Sequence, residues 1–238
     1  MQTEQPNAAA DTEDFEFAAL NEARNYRQAL IAEFTPFLRG RVAEVGAGIG
    51  QLTAELARVP GITQLTAVEP EQRFAERLRR EQPGRTVIHG TAADLPLDGG
   101  WNAIVSVNVL EHIREDVEEL RRWRALLAPT RGHLCLFVPA RPELYAPIDK
   151  DFGHFRRYTK PGLRRALTDA GFEIVRLDYF NAVGYFAWWA SFVLLKQRGF
   201  KVASVRLFDR AIFPWVHAWE RHVLRPPFGQ SLLAVARG

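Results

Sequence analysis

Three closely spaced glycines, flanked by two glutamates, are the residues whose types and spacing most clearly indicate chemistry. Gly46, Gly48 and Gly50 follow a short apolar run, so the backbone can turn sharply and approach a ligand without Cβ atoms in the way. The helical pattern after them offers free N–H groups and the positive end of a helix dipole. Glu69 ends the next apolar run, where a carboxylate can accept hydrogen bonds from two ribose hydroxyls. Glu44 lies inside the first run, where a buried carboxylate needs a specific partner such as an amino group.

The glycine spacing distinguishes between ligand classes. The dinucleotide fingerprint G-x-G-x-x-G requires glycine at position 51, where this chain has Gln51. A nicotinamide-dependent oxidoreductase on a similar sheet is therefore disfavoured, but it stays open as one alternative. A second alternative is a non-catalytic protein that keeps the fold as an interaction scaffold. The intact glycines and Glu69 argue against that alternative.

The elements that must position these residues alternate between apolar runs and helical patterns. Strands are predicted at 42–45, 64–68, 86–89, 101–107 and 133–138, with helices at 52–59, 72–81 and 116–127. Such an alternation predicts a doubly wound α/β fold, in which a parallel sheet carries helices on both faces and binds ligands beyond the carboxyl ends of its strands. One or two helices are expected at 15–38, a long loop at 139–158, a helix at 161–170, and strands at 172–178 and 230–237.

Composition and charge narrow the classes of function. A single cysteine, Cys135, excludes an internal disulfide framework and a multi-cysteine metal cluster. Residues 1–14 lack the pattern of a signal peptide, so we expect a flexible lead-in and a cytoplasmic protein. Residues 1–140 carry 15 basic and 20 acidic side chains, whereas residues 141–238 carry 16 basic and 8 acidic side chains. The basic part is either solvated surface or a surface for an acidic substrate or an anionic membrane, and its scattered charges do not indicate nucleic-acid binding.

At four places the sequence resembles the class I S-adenosylmethionine-dependent methyltransferases. Residues 42–50, Val-Ala-Glu-Val-Gly-Ala-Gly-Ile-Gly, look like the first motif of that family, and residues 67–70, Ala-Val-Glu-Pro, look like the second. Residues 108–113, Asn-Val-Leu-Glu-His-Ile, look like the stretch that lies against the cofactor, and residues 132–138 look like the strand that usually follows. The resemblance implies a seven-stranded Rossmann-like sheet of order 3-2-1-4-5-7-6 with the last strand antiparallel, and S-adenosylmethionine as cofactor.

A narrower resemblance concerns the second half of the chain. It is a similarity to a bacterial subgroup of small-molecule or lipid-linked methyltransferases. It lies at residues 138–140, Asp149, the sequence Gly-His-Phe-Arg-Arg-Tyr at 153–158 and residues 227–232. This resemblance covers about residues 20–180 and the final strand, and it is thin between 181 and 226. It implies that residues 139–160 form a substrate lid over the methyl group.

Carried over residue by residue, the resemblance assigns the cofactor site. The three glycines would line the methionine and ribose portion, Glu69 would hold the ribose hydroxyls, and Glu44 would meet the amino group. Asn108 and Val109 would flank the sulfonium, and Tyr26 would cap the cofactor from the N-terminal helix. Relatives often have Asp after the third strand to meet the adenine, where this chain has Thr91. Asp94 is the other residue that could serve there, and Thr91 is our prediction.

Methyl transfer needs an aligned acceptor, and a hydroxyl acceptor also needs a general base. His154 is the predicted base, with the carboxylate of Asp149 close enough in sequence to orient it, and His112 is a second candidate. The alternative for His154 is a loop histidine that fixes the lid. A carboxylate acceptor would need no base but would benefit from a positive side chain, so the predicted substrate-binding residues are Arg156, Arg157 and Tyr158. No metal site is predicted.

The aromatic and basic segment 181–228 has three interpretations. It carries four of the six tryptophans together with Lys196, Arg198, Lys201, Arg206 and Arg210. It could be a hydrophobic lobe over the sheet edge, an apolar acceptor pocket, or a surface that docks on a membrane, and the last two are compatible.

The whole sequence thus predicts an enzyme with five parts. These are a flexible N-terminus at 1–14, cofactor-capping helices at 15–40, a methyltransferase core at 41–180 plus 229–238, the lid at 139–160, and a helical insertion at 181–228. The predicted reaction is O-methylation of a hydrophobic or carboxylate-bearing small molecule or of a lipid-linked acceptor. The predicted location is the cytoplasm, with a membrane-peripheral position as the variant.

Overall fold

The computed structural model describes residues 21–199, 201–222 and 226–238, and strands and helices alternate along most of this part of the chain. The strands are β1 (Gly40–Val45), β2 (Ile62–Glu69), β3 (Thr86–His89), β4 (Ala103–Val107), β5 (His133–Pro139), β6 (Glu173–Phe180) and β7 (Ser231–Arg237). The α-helices are α1 (Arg24–Phe34), α2 (Gln51–Leu56), α3 (Gln72–Glu81), α4 (Asp116–Leu127), α5 (Pro147–Asp151), α6 (Lys160–Asp169), α7 (Ala182–Trp188), α8 (Val202–Leu207) and α9 (Phe213–His222). The expected flexible lead-in at 1–14 lies outside the described residues.

The strands form one sheet in the order β3-β2-β1-β4-β5-β7-β6, as predicted. The pairs among β1 to β5 are parallel, and β7 runs antiparallel to both β5 and β6. The strand order reverses at β1, which pairs with β2 on one side and with β4 on the other. A doubly wound sheet binds ligands at such a switch point, beyond the carboxyl ends of its strands.

Two apolar layers enclose the sheet, and the central strand β4 shows how. Ile104 belongs to the layer that contains Trp123 of α4, whereas Val105 belongs to the layer that contains Leu30 and Phe34 of α1. Because successive side chains of a strand point to opposite faces, a strand covered on both faces needs apolar residues at nearly every position. This requirement explains the uniformly apolar run that predicted β4.

Residues 139–160, predicted as a loop, contain two short helical turns, a 3₁₀ turn at Pro142–Leu144 and the helix α5. Pro147 occupies the first turn of α5, where its missing N–H costs no hydrogen bond. The Asp149 carboxylate accepts a hydrogen bond from the Ala146 N–H at 2.9 Å and so closes the start of α5. Both turns are too short to produce a helical period in the sequence, which is why the pattern indicated only a loop.

The segment 181–222 is mostly helical in its described part, with a non-helical connection at 195–201 of which residue 200 is not described. A π-helical segment, Trp189–Leu194, continues α7, and a second, Phe208–Ile212, joins α8 to α9. Among the described residues, no helix combines the length and the apolar character needed to cross a membrane. The division of the chain into core, lid and insertion stays a prediction.

Candidate active site

The three glycines of the β1–α2 turn all have positive φ, at 78°, 53° and 84° for Gly46, Gly48 and Gly50. A Cβ atom on Gly46 would lie 2.2 Å from Cγ2 of Val109, and one on Gly50 would lie 2.2 Å from Cδ1 of Leu78. Backbone conformation and space therefore both require glycine at these two positions. The turn brings the β1 end against the residues that follow β4, as the predicted cofactor site requires.

Glu69, at the end of β2, is buried and holds this turn in place. Its carboxylate accepts a hydrogen bond from the Gly48 N–H at 2.7 Å and another from the Glu71 N–H at 2.9 Å. The carboxylate thus lies directly beside the glycine turn, where the sequence predicted contact with the ribose. The same group orders the protein loop on which a nucleoside would rest.

Glu44 is 2% exposed within β1, and its Oε2 has no hydrogen-bond partner among the described residues. Burial raises the pKa of Glu44 to about 8; the Thr53 hydroxyl opposes this rise and the negative charge of Glu69 adds to it. An unsatisfied buried carboxyl group is costly unless a ligand completes it. The residues present fit the cationic amino group of S-adenosylmethionine, because that group would supply both a hydrogen bond and a positive charge.

The loops after β3 and β4 carry the other residues that are predicted to contact the cofactor. The Thr91 hydroxyl accepts from the Ala93 N–H at 3.3 Å, while Asp94 accepts from the Thr91 N–H at 2.8 Å. Both adenine candidates thus act in the reciprocal cap of one short helical turn. Asn108 adopts φ of +54°, an uncommon conformation for a residue other than glycine, and its N–H donates to the Phe137 carbonyl at 2.9 Å. Such local strain is typical of functional positions.

His154 and Asp149 form the hydrogen bond that the sequence predicted. Nδ1 of His154 lies 3.0 Å from Oδ1 of Asp149, and the same oxygen accepts from Nε of Arg157 at 2.8 Å. Burial raises the pKa of Asp149, whereas the hydrogen bond with His154 and the charge of Arg157 lower it. The lowering effects outweigh the effect of burial, so the pKa of Asp149 lies below its ordinary value. An ionised Asp149 accepts from Nδ1–H, which leaves Nε2 of His154 as the basic nitrogen.

A second carboxylate lies on the other side of the His154 ring. Oε1 of the buried Glu111 is 3.9 Å from Nε2 of His154, and the ring of His112 meets that of His154 edge-on at 4.6 Å. Burial of its ring and the neighbouring His154 lower the pKa of His112 to about 4, although part of the residue is exposed. His112 is therefore neutral near pH 7 and a weaker base than an ordinary histidine. The ligand atoms of these three residues lie within 4.8 Å of one another, which is close enough for a shared metal ion.

The adjacent lid arginines Arg156 and Arg157 both contact carboxylates. Arg157 is buried, pairs with Asp149 and places its guanidinium 4.3 Å from the ring centroid of Trp188. Arg156 pairs with Asp116 at 2.6 Å, and the Tyr158 hydroxyl donates to the same carboxylate at 2.8 Å. In this structure Arg156 and Tyr158 attach the lid to α4, and contact of either residue with an acceptor stays a prediction.

A cavity of about 560 Å³ opens beside His154. Its wall runs from Asn108 and His154 to Trp188 and includes much of the insertion; further lining residues are Phe137, Phe192, Val205, Leu207, Phe208, Ile212, Gln230 and Ser231. A mostly apolar cavity with a few convergent polar groups is typical of a small-molecule site. It extends from the β4 end, where the sulfonium side of the cofactor is expected, into the insertion.

Tyr26 of α1 also lines this cavity. Its ring packs against Phe137, Phe180 and Phe213 with centroid distances of 6.1, 5.2 and 5.0 Å. Burial raises the pKa of Tyr26, and hydrogen bonds with Ser231 and Asn181 oppose the rise. Tyr26 is thus anchored at the junction of α1, the sheet and the insertion, and its contact with the cofactor stays a prediction.

Several contacts made by residues of the cavity were not predicted from the sequence. Trp188 donates from Nε1 to the Leu144 carbonyl at 3.0 Å and joins the insertion to the lid. Asp209 is buried and accepts from the N–H groups of Asn25 and Tyr26 at 3.0 and 2.9 Å, so it caps the start of α1. A signal for Asp209 existed, since it is an acidic residue within a basic and aromatic stretch. Nothing local indicates its partner, which lies 184 residues away.

Comparisons with known proteins agree with this geometry. A family model described as a methyltransferase domain matches residues 19–177. The chain is 27% identical over 136 residues to the ubiquinone biosynthesis O-methyltransferase of Roseobacter denitrificans, a match that covers 56% of this chain and 54% of that protein. The chain thus spans about half the length of the curated relative that it matches.

Solved structures share the fold. An S-adenosylmethionine-dependent methyltransferase from Mesorhizobium loti has a TM-score of 0.61 and 18% identity, covering 89% of this chain and 96% of that one. The mycolic acid cyclopropane synthase CmaA1, solved with SAH and CTAB, has a TM-score of 0.55 and 14% identity, and the match covers 87% of this chain and 84% of that one. The family match favours the methyltransferase hypothesis over the nicotinamide alternative.

Proposed function

The chain belongs to the methyltransferase-domain family as a class I S-adenosylmethionine-dependent member, and we propose that it methylates an oxygen atom of a hydrophobic acceptor held in the cavity beside His154. One observation carries the proposal. The buried pair of His154 and Asp149, joined at 3.0 Å, lies in the wall of an apolar cavity that also reaches Asn108. A general base and an acceptor pocket thus meet where the methyl group is expected.

The cofactor would be held at the carboxyl ends of β1, β2 and β4. The glycine turn would carry its methionine and ribose, Glu69 the ribose hydroxyls, and Glu44 its amino group. Thr91 would lie near the adenine, and Asn108 and Val109 near the sulfonium. When bound there, S-adenosylmethionine would supply an electrophilic methyl carbon that carries a neutral thioether as its leaving group.

His154 is the proposed general base for a hydroxyl acceptor. Asp149 fixes the tautomer by accepting from Nδ1–H, so Nε2 takes the hydroxyl proton as the oxygen forms its bond to the methyl carbon. The imidazolium that results is stabilised by the negative charge of Asp149 on one side and by Glu111, at 3.9 Å, on the other. Arg157 holds Asp149 in place at 2.8 Å and is a positioning residue in this scheme.

A hydroxyl acceptor fits better than a carboxylate. A carboxylate acceptor at His154 would need a positive side chain close to that histidine, where Arg157 already pairs with Asp149; the other basic residue of the wall, Lys201, is an exposed residue of the insertion. Arg156 pairs with Asp116 and is not among the lining residues. The Roseobacter relative is named for O-methylation in ubiquinone biosynthesis, which supports oxygen as the methylated atom.

The apolar walls support a lipid-like acceptor. Residues of the insertion form most of the cavity wall, and seven of them have aromatic or aliphatic side chains, among them Trp188, Phe192 and Phe208. We propose that this wall takes the apolar part of the acceptor while its hydroxyl faces His154. An acceptor of this kind resides in membranes, so the insertion at 181–228 would also bring the protein to a membrane surface.

Methyl-labelled S-adenosylmethionine tests the function directly. The pure protein is incubated with separate lipid and aqueous extracts of its host, beside a Glu69→Ala variant and a Glu71→Ala variant as the matched exposed control. Label entering the lipid phase, lost with Glu69→Ala and kept with Glu71→Ala, supports the proposal. Label entering only the aqueous phase would replace the lipid acceptor by a water-soluble one. No transfer and no heat of S-adenosylmethionine binding would favour the scaffold alternative.

The same assay tests the role of His154. Activity that survives a chelator supports His154 as base. Activity that a chelator abolishes and a divalent cation restores would instead make His154, with Glu111 and His112, part of a metal site.

A further inference from the structure

Exposed large hydrophobic side chains are concentrated in the insertion. Thirteen such residues are exposed in the described part of the chain, and nine of them fall between positions 183 and 219. They are Val183, Phe186, Trp189, Leu194, Leu195, Leu207, Ile212, Trp215 and Trp219. Concentration of apolar surface in one region of a soluble protein indicates a binding surface.

The helices α8 and α9, with the π-helical segment between them, carry part of this surface as a stripe. Ala203, Leu207, Ala211, Trp215 and Trp219 recur every four residues and are all exposed. Residues four apart are neighbours on a helix surface, so these five exposed side chains follow one another along α8, the π-helical segment and α9. Trp215 is 79% exposed, although an indole rarely stays in water without a function.

The exposed charges within the segment that carries the stripe have one sign. Among the described residues of 181–220, Lys196, Arg198, Lys201, Arg206 and Arg210 are exposed, whereas the two acidic residues, Asp209 and Glu220, are buried. Three of the basic side chains approach carboxylates from outside the segment: Arg206 and Arg210 lie 2.8 and 4.0 Å from Glu22, and Arg198 lies 3.8 Å from the exposed Asp151. A segment whose exposed charged side chains are all basic, beside exposed tryptophan and leucine, is complementary to an anionic bilayer.

The acceptor cavity opens on this same surface. Leu207 is 64% exposed and Ile212 41% exposed, and both line the cavity, as does the exposed Lys201. A cavity wall that continues into an exposed apolar stripe gives a lipid-like molecule an apolar route from the surface to His154. Acceptor site and exposed surface are therefore continuous.

We propose that the surface formed by the nine exposed apolar residues and the five exposed basic residues docks on an anionic lipid bilayer, and that the acceptor enters the cavity from that bilayer. The tryptophans lie at the interface, the basic groups contact lipid phosphates, and the cavity mouth faces the membrane. The entry route rests on the proposed methyltransferase function, whereas the docking itself does not.

Vesicle co-sedimentation tests the docking without any enzymatic assay. The full chain is mixed with vesicles of phosphatidylcholine alone or of equal parts phosphatidylcholine and phosphatidylglycerol. We expect binding to the anionic vesicles that weakens as salt is added, because surface charges are screened. Each basic group near an anionic surface is expected to contribute about a fivefold gain in binding.

Two double variants, each with a control, distinguish the contribution of the stripe to vesicle binding from that of the basic residues. The double variant Trp215→Ser with Trp219→Ser is expected to weaken vesicle binding at least about tenfold. The control is Leu97→Ser, which changes a similarly exposed hydrophobic residue far along the chain from the stripe and should leave vesicle binding unchanged. Lys196→Glu with Arg198→Glu is expected to weaken binding at least about 20-fold, and Arg80→Glu with Arg85→Glu is the charge-matched control.

Calorimetry of S-adenosylmethionine binding on every variant separates the two hypotheses. Loss of vesicle binding with unchanged cofactor affinity supports the docking surface. Cofactor binding without any vesicle binding overturns the docking and leaves the proposed function intact. Self-association that Trp215→Ser abolishes, without vesicle binding, would instead make this surface an interface between two copies and would also overturn the proposal.

Discussion

The cofactor side and the acceptor side of the site are built in different ways. On the cofactor side, Glu44, the glycine turn and Glu69 come from two neighbouring strands and lie within a short stretch of sequence. On the acceptor side, the cavity wall combines α1, the lid, the insertion and the first residues of β7. Its key polar contacts join distant residues, such as Asp209 with the start of α1.

This difference separates what must stay constant from what can vary. The cofactor side depends on positive φ values and close backbone approach, which tolerate little change at Gly46 and Gly50. The acceptor side depends on side chains carried by helices outside the sheet, so their substitution can change the acceptor without disturbing the cofactor. We therefore expect the sheet to determine fold and cofactor, and the lid and insertion to determine the choice of acceptor.

The largest effect is expected at His154, where the two sides meet. His154→Asn removes the proposed base, so kcat is expected to fall by about 10²- to 10⁴-fold while the Kd for S-adenosylmethionine changes by less than about twofold. Steady-state kinetics and calorimetry measure the two quantities. His133→Asn, at the opposite end of β5, is the control and should leave both unchanged. A kcat within about threefold of the parent would remove His154 from the mechanism.

Glu44 tests the cofactor side alone. Its pKa is raised to about 8, so it is mostly protonated at pH 7, and a bound ammonium group favours the ionised form. Cofactor binding should therefore release a proton at pH 7, and affinity should rise with pH until about pH 8. Binding enthalpies in buffers of different ionisation enthalpy measure that proton.

The Glu44→Gln variant completes this test. It should abolish the buffer dependence and weaken binding by about 10- to 100-fold, since a charged hydrogen bond is lost. Glu55→Gln, which weakens the ion pair with Arg58, should change neither quantity. Equal enthalpies in all buffers for the parent protein would show that Glu44 does not meet the amino group.

Asp209 tests whether the acceptor side depends on the distant contact with α1. Asp209→Asn removes the charge that caps the N–H groups of Asn25 and Tyr26, at a cost of about 1–3 kcal/mol in the free energy of unfolding. Hydrogen exchange at these two amides should accelerate, and the KM for the acceptor should rise because Asp209 lines the cavity. Asp169→Asn, in an exposed pair with Arg165, is the control. Unchanged protection at both amides would contradict the capping role.

The smallest effect is expected at Arg206, which also joins the insertion to the N-terminal segment. Its guanidinium donates to both carboxylate oxygens of Glu22, at 2.8 and 3.0 Å, but the arginine side chain is 50% exposed. Exposed ion pairs contribute little to stability, so Arg206→Ala should leave the midpoint of urea denaturation nearly unchanged. Urea denaturation at low and high salt measures that midpoint. A clear drop in the midpoint at both salt concentrations would mean that this exposed contact holds the insertion as firmly as the buried contacts do.

The sheet could be predicted from the sequence because each of its signals is local. The apolar runs and the glycine turn lie next to one another in the chain, and β3 and α3 have the predicted bounds of 86–89 and 72–81. The short turns of the lid were missed because neither is long enough to show a helical period.

The contacts of the acceptor side could be predicted only in part. The pair of Asp149 and His154 lies within one loop, so its hydrogen bond followed from proximity in sequence. The partners of Asp209 and Trp188 depend on how the insertion packs, which no local pattern encodes. Periodicity also fails on the insertion, because apolar side chains there face outward as well as inward.

The position of β7 has a consequence for folding. β7 pairs with β5 on one side and with β6 on the other, although the whole insertion separates it from β6 in the chain. Contacts between such distant segments form slowly, so closure of this edge is expected late in folding. The first residue of β7, Ser231, and its neighbour Gln230 also line the acceptor cavity. A chain that has not completed its sheet therefore has no complete acceptor pocket. We expect the protein to become able to bind its acceptor only when β7 has paired with both of its neighbours.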